Sequence, residues 1–286
     1  FQLKDGKCPD CLRQPEKLKE ESYFFKLSGY SEKLLALLQE HKDFVIPEIR
    51  YNEVLSFVKS GLRDLSVSRT SFKWGINIPM NENHIVYVWF DALTNYLTGA
   101  GFLEDDELFN RFWPCDAHLI GKDILRFHAV YWPSFLMSYG IDPPRHVIAH
   151  GWWTIEGQKM SKSLGNVVDP NEVVRAYGVD EFRFFLFREV PFGMDGDFSK
   201  AAIVQRINGD LANDFGNLTS RSVTMIGKFL NGRIERPEKK GGMDEYVEEN
   251  VSKLIKEYQK AMEVFSFYKA LQHVFEIISL LNKYID

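Results

Sequence analysis

The sequence predicts an α/β region followed by an all-α region. Three short apolar runs predict strands, at residues 85–90, 118–121 and 146–150, and helical segments lie between them. This alternation is typical of a parallel sheet, which binds ligands outside the carboxyl ends of its strands. After a polar loop at residues 157–166 the periodicity becomes helical and stays so. We therefore expect both regions within one chain of 286 residues.

The helical segments follow from the spacing of apolar side chains. A helical pattern runs from about Glu20 to Val67, and further helices are predicted at 91–99 and 123–139. Residues 231–242 form a polar break that contains Gly and Lys. From 246 to 285, apolar residues recur mostly three or four positions apart, which predicts a pair of amphipathic helices within a bundle.

Composition and charge exclude several classes of protein. Hydrophobic residues at 45% and charged residues at 26% are typical of globular proteins, and no apolar run predicts a membrane span. A net charge of −5 argues against a uniformly basic nucleic-acid-binding surface, although a local basic face remains possible. Three cysteines argue against a disulfide framework and favour a cytoplasmic location. Phe1 has neither a Met start nor a signal pattern before it, so we expect the chain to begin inside a domain.

The loop at 157–166 has the composition of a phosphate-binding segment. It contains Lys159-Met160-Ser161-Lys162-Ser163 between Gly157 and Gly165. Two lysines three positions apart supply mobile ammonium groups that can follow charge onto a leaving pyrophosphate, and the glycines permit loop movement. A lone Lys-x-x-Lys is usually a solvated turn. The full string, between an α/β and a helical region, favours phosphate binding.

This five-residue string resembles the signature of class I aminoacyl-tRNA synthetases. Isoleucyl-, leucyl-, valyl-, cysteinyl- and methionyl-tRNA synthetases carry versions of it. Two further segments resemble the methionyl-tRNA synthetase family: Tyr87–Tyr96 is similar to its methionine-pocket strand and helix start, and Ile120–Pro133 to its second pocket segment. Leu93 departs from the family, which often has Pro there, and this affects only the expected helix start.

The resemblance implies a methionine site rich in aromatic side chains. The residues implied are Trp89, Tyr96, Phe127, His128 and Trp132 as its lining, and Asp123 for the substrate's polar end. Aromatic rings contact a thioether favourably, by roughly 0.3–1.5 kcal/mol each. A Tyr hydroxyl or a His N–H can donate weakly to sulfur, whereas shape alone discriminates only ~10–200-fold. The alternative is that the Trp and Phe residues are core aromatics and the histidine is structural.

The resemblance also implies the reaction. The methionine carboxylate attacks the α-phosphate of ATP to give methionyl-adenylate and pyrophosphate, and the acyl group passes to the terminal adenosine of tRNA(Met). Lys162 is the implied transition-state contact, supported by Lys159, and Arg69 lies near the reaction centre unless it is a surface arginine. Mg²⁺ is expected with ATP, bridging its phosphates. The implied ATP-binding residues are Gly121, His150, Gly151, Lys159, Met160, Ser161, Lys162 and Ser163.

Four regions follow from the same resemblance. Residues 1–67 are the remnant of a connective-peptide and zinc-knuckle domain, and 68–152 the second half of a Rossmann-like catalytic domain. Residues 153–210 are the connector that carries the lysine loop, and 211–286 part of a helical-bundle anticodon-binding domain. In that last region Asn217 and Arg221 lie one helical turn apart, where they can reach unpaired anticodon bases. The alternative for this pair is an exposed arginine and an asparagine at a helix bend.

Cys8 and Cys11 have the spacing of half a zinc site. Four ligands are needed, and Cys115, within the α/β region, is expected to be a core thiol. In the family the second cysteine pair lies upstream. The resemblance therefore implies Zn²⁺ only in the intact protein.

The family's other nucleotide signature, His-Ile-Gly-His, has no match in the sequence. The nearest string, His118–Lys122, belongs to the pocket segment. We therefore expect an incomplete chain whose missing partner is the N-terminal half of the enzyme, and we expect this polypeptide alone to be inactive. Two alternatives remain: another class I synthetase, such as a cysteinyl enzyme, or a non-catalytic tRNA-binding or assembly fragment.

Overall fold

The computed structural model describes most of the chain and divides it into two compact units. The first unit is residues 1–118 with 124–147, and the second is 119–123 with 148–286. The described residues are 6, 14, 19–155, 157–160, 165–235 and 239–286.

The first unit mixes short strands with five α-helices within its described residues. In chain order the elements are β1 (Phe24–Phe25), α1 (Ser31–Glu40), β2 (Val45–Ile46), α2 (Glu48–Lys59), β3 (Leu65–Ser66), β4 (Ser68–Arg69), β5 (Asn77–Ile78), β6 (Asn81–Val86), α3 (Val88–Gly99), α4 (Asp106–Phe112), β7 (Ala117–Gly121), α5 (Trp132–Tyr139) and β8 (His146–His150). The last residues of β7 and β8 belong to the second unit. A π-helical segment, Phe127–Tyr131, leads directly into α5.

The sheets confirm two predicted strands and correct the third. β7 and β8 lie where predicted, in a sheet of order β2-β8-β7. The strand predicted at 85–90 is wrong after Val86, because α3 already begins at Val88. Trp89, Leu93 and Leu97 are spaced four apart and pack on one core cluster, so helical burial overrides the β-propensity of this run. β6 pairs antiparallel with β4 and β5 in a sheet of its own, so the parallel arrangement predicted for it is also wrong.

The helical pattern predicted for Glu20 to Val67 is interrupted. α1 and α2 supply the helical part, but the strands β1, β2 and β3 lie within the same range. Pro47 stands immediately before α2, and the residue that precedes a proline disfavours helical backbone. The apolar positions keep their predicted role, since Leu34, Leu38 and Val54 are buried.

The second unit contains the predicted helical region and, in addition, a small sheet that was not predicted. Its remaining elements are β9 (Trp153–Ile155), β10 (Gln158–Lys159), α6 (Pro170–Tyr177), α7 (Val179–Arg188), β11 (Gly196–Asp197), α8 (Lys200–Arg206), α9 (Asn217–Leu230), α10 (Gly242–Glu263) and α11 (Phe267–Ile285). β9 pairs antiparallel with β10 and parallel with β11. A π-helical segment, Ile207–Gly216, joins α8 to α9. The polar break falls between α9 and α10, and α10 with α11 forms the predicted helix pair.

The predicted mixture of α/β and helical regions is therefore confirmed. None of the helices in the described part of the chain is both long enough and apolar enough to cross a bilayer.

Candidate functional site

Five of the six residues predicted to bind methionine form one aromatic cluster in the first unit. This aromatic cluster is Trp89, Tyr96, Phe127, His128 and Trp132. Trp89 stacks on Phe127 with ring centroids 4.1 Å apart and planes 19° apart. The start of α3 supplies Trp89 and the π-helical segment supplies Phe127 and His128, so the spacing of two helical elements brings the cluster together.

Hydrogen bonds fix the protons of Tyr96 and His128. The His128 Nδ1 lies 3.0 Å from the Ile124 carbonyl oxygen, which only accepts, so Nδ1 carries the hydrogen. Burial lowers the pKa of His128 and raises the pKa of Tyr96, so both stay neutral. The Tyr96 hydroxyl therefore donates to His128 Nε2, 2.8 Å away. Both protons that the sequence analysis offered to a substrate sulfur are engaged with protein acceptors in this arrangement.

The members of the cluster differ in their access to a ligand. His128 and Trp132 are buried, with exposed fractions of 2% and 1%. Trp89, Tyr96 and Phe127 are half-buried. Trp132 also belongs to a hydrophobic core with Leu93, as the core-aromatic alternative predicts for it. A ligand would therefore meet the three half-buried rings first, with His128 and Trp132 behind them.

A sixth ring, His118, packs into the cluster and was not predicted to be part of it. Its Nε2 lies 3.2 Å from Trp132 Nε1, and its ring centroid lies 4.0 Å from that of Tyr96. His118 and Ile120 alternate on the buried face of β7 while Leu119 is exposed. This period-two pattern is visible in the sequence and could have assigned His118 to the core side. Cys115 packs against the same core, as predicted for a core thiol.

Asp123, the remaining residue predicted to bind methionine, belongs to the second unit and is held there by Trp152. The Trp152 indole Nε1 donates to Asp123 Oδ1 over 3.3 Å. Lys122 places its Nζ 4.2 Å from the centroid of the Trp152 ring and 2.6 Å from Asp195 Oδ2. The other oxygen of Asp195 accepts from the Trp152 backbone N–H at 2.9 Å. Sequence reasoning missed Lys122, Trp152 and Asp195, which orient the predicted carboxylate.

Three of the eight residues predicted to bind ATP, Gly121, His150 and Gly151, lie at or next to the ends of β7 and β8. A Cβ at Gly121 would lie 2.6 Å from Asp123 Oδ1 and 3.7 Å from His150 Cε1. His150 Nδ1 lies 2.8 Å from the carbonyl oxygen of Gly151. Gly121 and His150 are therefore neighbours, and His150 leads into the buried Gly151, whose backbone is packed against that of Met194.

The space at Gly151 yields a stability prediction. A Cβ there would overlap the backbone carbonyl of Met194, so Gly151→Ala should destabilise the chain by about 2 kcal/mol. Gly227, within α9, has no atom within 4 Å of such a Cβ and is the control. Gly227→Ala should be neutral or stabilising by up to about 1 kcal/mol. Urea unfolding of both variants tests this, and equal midpoints would contradict the steric argument.

Arg69 is built into the first unit and is not a free surface cation. Its guanidinium lies 4.2 Å from the Tyr87 ring centroid, and its Nη1 donates to Ser66 Oγ over 2.7 Å. Glu20 adds a carboxylate oxygen 4.0 Å from Nε. These contacts orient a positive charge beside the strand that precedes α3.

The hairpin β9–β10 carries the beginning of the lysine string. Asp197 Oδ1 closes it, accepting from Gly157 N at 3.0 Å and from Thr154 Oγ1 at 3.1 Å. Met160 packs against the core of Val173, Phe185, Phe198 and Ile203. The side chain of Lys159, and Ser161, Lys162 and Ser163, lie outside the described residues.

The two residues predicted to bind tRNA lie on α9. Asn217 and Arg221 are both exposed and one turn apart, and Arg221 Nη2 lies 2.6 Å from Asp286 Oδ1. Cys8 and Cys11 lie outside the described residues, and the described ones contain no group of three or more His, Cys, Asp or Glu suited to a metal ion. The zinc assignment stays a prediction.

Comparison with known proteins identifies what this chain is similar to. The sequence model of the family described as "tRNA synthetases class I (M)" matches residues 1–223. A methionine–tRNA ligase from Caldanaerobacter subterraneus subsp. tengcongensis is 52% identical over 289 positions, covering 100% of this chain and 45% of the relative. One from Fusobacterium nucleatum subsp. nucleatum is also 52% identical, covering 98% of this chain and 44% of the relative. The chain thus spans about half the length of these curated relatives.

The solved structures agree with the sequence comparison. The methionyl-tRNA synthetase of Mycobacterium tuberculosis in complex with methionyl-adenylate superimposes with a TM-score of 0.90 and 50% identity. It covers 99% of this chain, and the chain covers 56% of that structure. At this identity the likeness extends beyond the fold to the sequence of the same segments.

Proposed function

Because this chain belongs to the class I tRNA synthetase (M) family, we propose that its whole protein is a methionine–tRNA ligase. It activates methionine with ATP to methionyl-adenylate, releases pyrophosphate and transfers the methionyl group to tRNA(Met). The observation that carries this proposal is the aromatic cluster, in which Trp89 stacks on Phe127 and Tyr96 bonds to His128. In an arrangement of this kind, a flexible thioether can pack against the faces of the aromatic rings.

Methionine is held at its two ends by different chemistry. Trp89, Phe127 and Tyr96 meet the thioether, and His128 and Trp132 support those rings from behind. The family resemblance is our ground for assigning to the substrate ammonium group the carboxylate of Asp123, which accepts a hydrogen bond from Trp152 within the second unit. Because the Tyr96 hydroxyl donates to His128, its proton is not available to the substrate sulfur, so selection in this arrangement rests on the ring surfaces.

ATP is bound by residues at two strand ends and by cations. Gly121, His150 and Gly151 receive the nucleotide at the ends of β7 and β8. Lys162, with Lys159, neutralises charge on the departing pyrophosphate, and Arg69 contributes a further positive charge near the reaction centre. Mg²⁺ bound together with ATP would supply further positive charge to its phosphates. Catalysis is then mostly positioning and electrostatic stabilisation, as in other phosphoryl transfers.

The helical region recognises tRNA. In the proposed arrangement, residues 68–152 are the second half of a Rossmann-like domain, 153–210 the lysine-loop connector and 211–286 part of the anticodon-binding bundle. Asn217 and Arg221 contact anticodon bases. The first nucleotide-binding half and a complete zinc site, to which Cys8 and Cys11 contribute, are supplied by the rest of the protein. A cytoplasmic location stays a prediction.

The experiment is a chimeric enzyme. This chain replaces the matching 45% of the Caldanaerobacter enzyme, with which it is 52% identical. We expect methionine-dependent ATP–pyrophosphate exchange and charging of tRNA(Met) by the chimera, and no exchange by the 286-residue chain alone. Exchange that responds to cysteine and not to methionine would favour the other class I alternative. A chimera that binds tRNA(Met) without any exchange would favour the non-catalytic alternative.

Arg221 gives a second, separable prediction. Arg221→Ala in the chimera should lower kcat/KM for charging of tRNA(Met) about tenfold, the effect of one lost base contact, and leave methionine activation unchanged. Lys228→Ala, a cation on the same helix α9, is the control and should alter neither rate. A comparable loss in ATP–pyrophosphate exchange would show that Arg221 is structural.

A further inference from the structure

His118 is the buried residue that connects most members of the aromatic cluster, and no step of the proposed reaction uses it. It is 5% exposed on β7. Its ring lies 4.0 Å from Tyr96 and 5.9 Å from His128, centroid to centroid, and its nitrogens face Trp132 and Cys115. A polar ring in a core usually only satisfies its own hydrogen bonds. Here each of its bonds restrains a residue of the proposed methionine site or sets its own tautomer.

The hydrogen-bond partners of His118 determine its proton. The Trp132 indole nitrogen only donates, so His118 Nε2, 3.2 Å away, must be the acceptor. The single proton of the neutral ring is then on Nδ1, which points to Cys115 Sγ at 3.7 Å. A second proton would set one N–H against another. Burial, reinforced by His128, lowers the pKa of His118 to about 4 and keeps the ring neutral.

Two rings of the cluster depend on this arrangement. Trp132 loses its hydrogen-bond acceptor if His118 is removed, and a buried indole N–H without a partner disfavours the present rotamer. Tyr96 lies against the His118 ring with an interplanar angle of 32°, and its hydroxyl must reach His128 at the same time. The position of the Tyr96 ring therefore follows from two histidines, of which only His128 was expected in the site.

We infer that His118 is a positioning residue of the methionine site: its Nε2 holds the Trp132 indole and its ring supports Tyr96, so that it sets the surface that meets the thioether. Cys115 completes this arrangement, because its Sγ accepts a hydrogen bond from the His118 Nδ1–H group. The inference rests on the proposed function, because it concerns the same amino-acid site. It adds a residue that never touches the substrate and whose loss should change selectivity for the side chain.

Two variants separate the roles of the ring and of the acceptor. His118→Phe keeps an aromatic ring but removes the acceptor, and His118→Gln keeps an acceptor but removes the ring. The control is His84→Phe, because His84 in the same unit is also buried, with 2% of its surface exposed against 5% for His118, and is also hydrogen-bonded, to Ser68 Oγ at 3.0 Å. A general loss of stability should affect all three variants. Loss of positioning should affect only the two at 118.

The measurement is NMR titration of this chain, within the chimeric enzyme, with L-methionine and with norleucine, monitored on the indole N–H signals of the chain's tryptophans. In His118→Phe we expect a shifted and faster-exchanging Trp132 indole proton, about tenfold weaker methionine binding and a reduced preference over norleucine. His118→Gln should lose less, and His84→Phe should bind as the unmodified chain does. Unchanged binding by both variants at 118, or an equal loss in His84→Phe, overturns the inference. Absence of methionine binding by the unmodified chain overturns the proposed methionine pocket itself, and the inference with it.

Discussion

Replacing Asp123 by asparagine in the chimeric enzyme should lower kcat/KM for methionine by about 10²-fold. A hydrogen bond to a charged group contributes roughly 1.5–3 kcal/mol, and each 1.4 kcal/mol is tenfold. Asparagine is nearly isosteric, and its side-chain oxygen can still accept from the Trp152 indole, which now donates to Asp123 Oδ1. The substitution therefore removes the charge while it leaves the local packing in place. The loss should appear mainly as a raised methionine KM.

Asp116→Asn is the matched control for this substitution. Asp116 pairs with Arg145 on the surface, where both side chains are mostly exposed, so its charge is worth little. Steady-state ATP–pyrophosphate exchange at varied methionine and varied ATP separates the two substrates. A raised KM for ATP with an unchanged KM for methionine would move Asp123 from the amino-acid site to the nucleotide site.

The local sequence pattern was sufficient to predict β7 and β8 and insufficient to predict the start of α3. β7 and β8 are short apolar runs bounded by polar residues, and both lie where predicted. The residues from Val86 to Phe90 are β-branched and aromatic and favour a strand by propensity. Their packing decides otherwise, because Trp89, Leu93 and Leu97 bury one helical face on a common core.

The candidate site divides in the same way. The aromatic cluster was predictable because its five members lie in two continuous segments that resemble one family. The residues that orient them were not. Lys122 and its partner Asp195 are 73 residues apart along the chain, and Trp152 and its partner Asp123 are 29 residues apart. A single sequence does not show which distant residues form such pairs. The alternation of His118 with Ile120 on β7 indicates that His118 is buried, but it does not indicate that Trp132 is the hydrogen-bond partner of His118.

Acidification should destabilise the first unit through its buried histidines. The pKa of His118 is lowered to about 4 in the folded chain, against about 6.5 in an unfolded one. Between those values the unfolded chain binds more protons, so stability falls as the pH falls and is fully present above about pH 6.5. His118 alone should contribute a loss of about 2 kcal/mol between pH 7 and pH 5. Burial also lowers the pKa of His128, which acts in the same direction.

Urea unfolding at pH 7, 6 and 5, followed by tryptophan fluorescence, measures this effect. Of the six tryptophans, the four that report on the first unit are Trp74, Trp89, Trp113 and Trp132.

The comparison is between slopes of unfolding free energy against pH, because His118→Gln lowers stability at every pH while it removes one titrating group. The slope should decrease in His118→Gln and decrease further when His128→Gln is added. The series stops at pH 5 so that carboxylates do not contribute to the slope. The Ser28 hydroxyl and backbone N–H hold the pKa of Asp64 below its ordinary value, and a carboxylate of this kind loses its stabilising charge only in stronger acid. An unchanged slope in both variants would mean that these rings bind protons equally in the folded and unfolded chain, and would contradict the neutral His118 that the Trp132 indole donor requires.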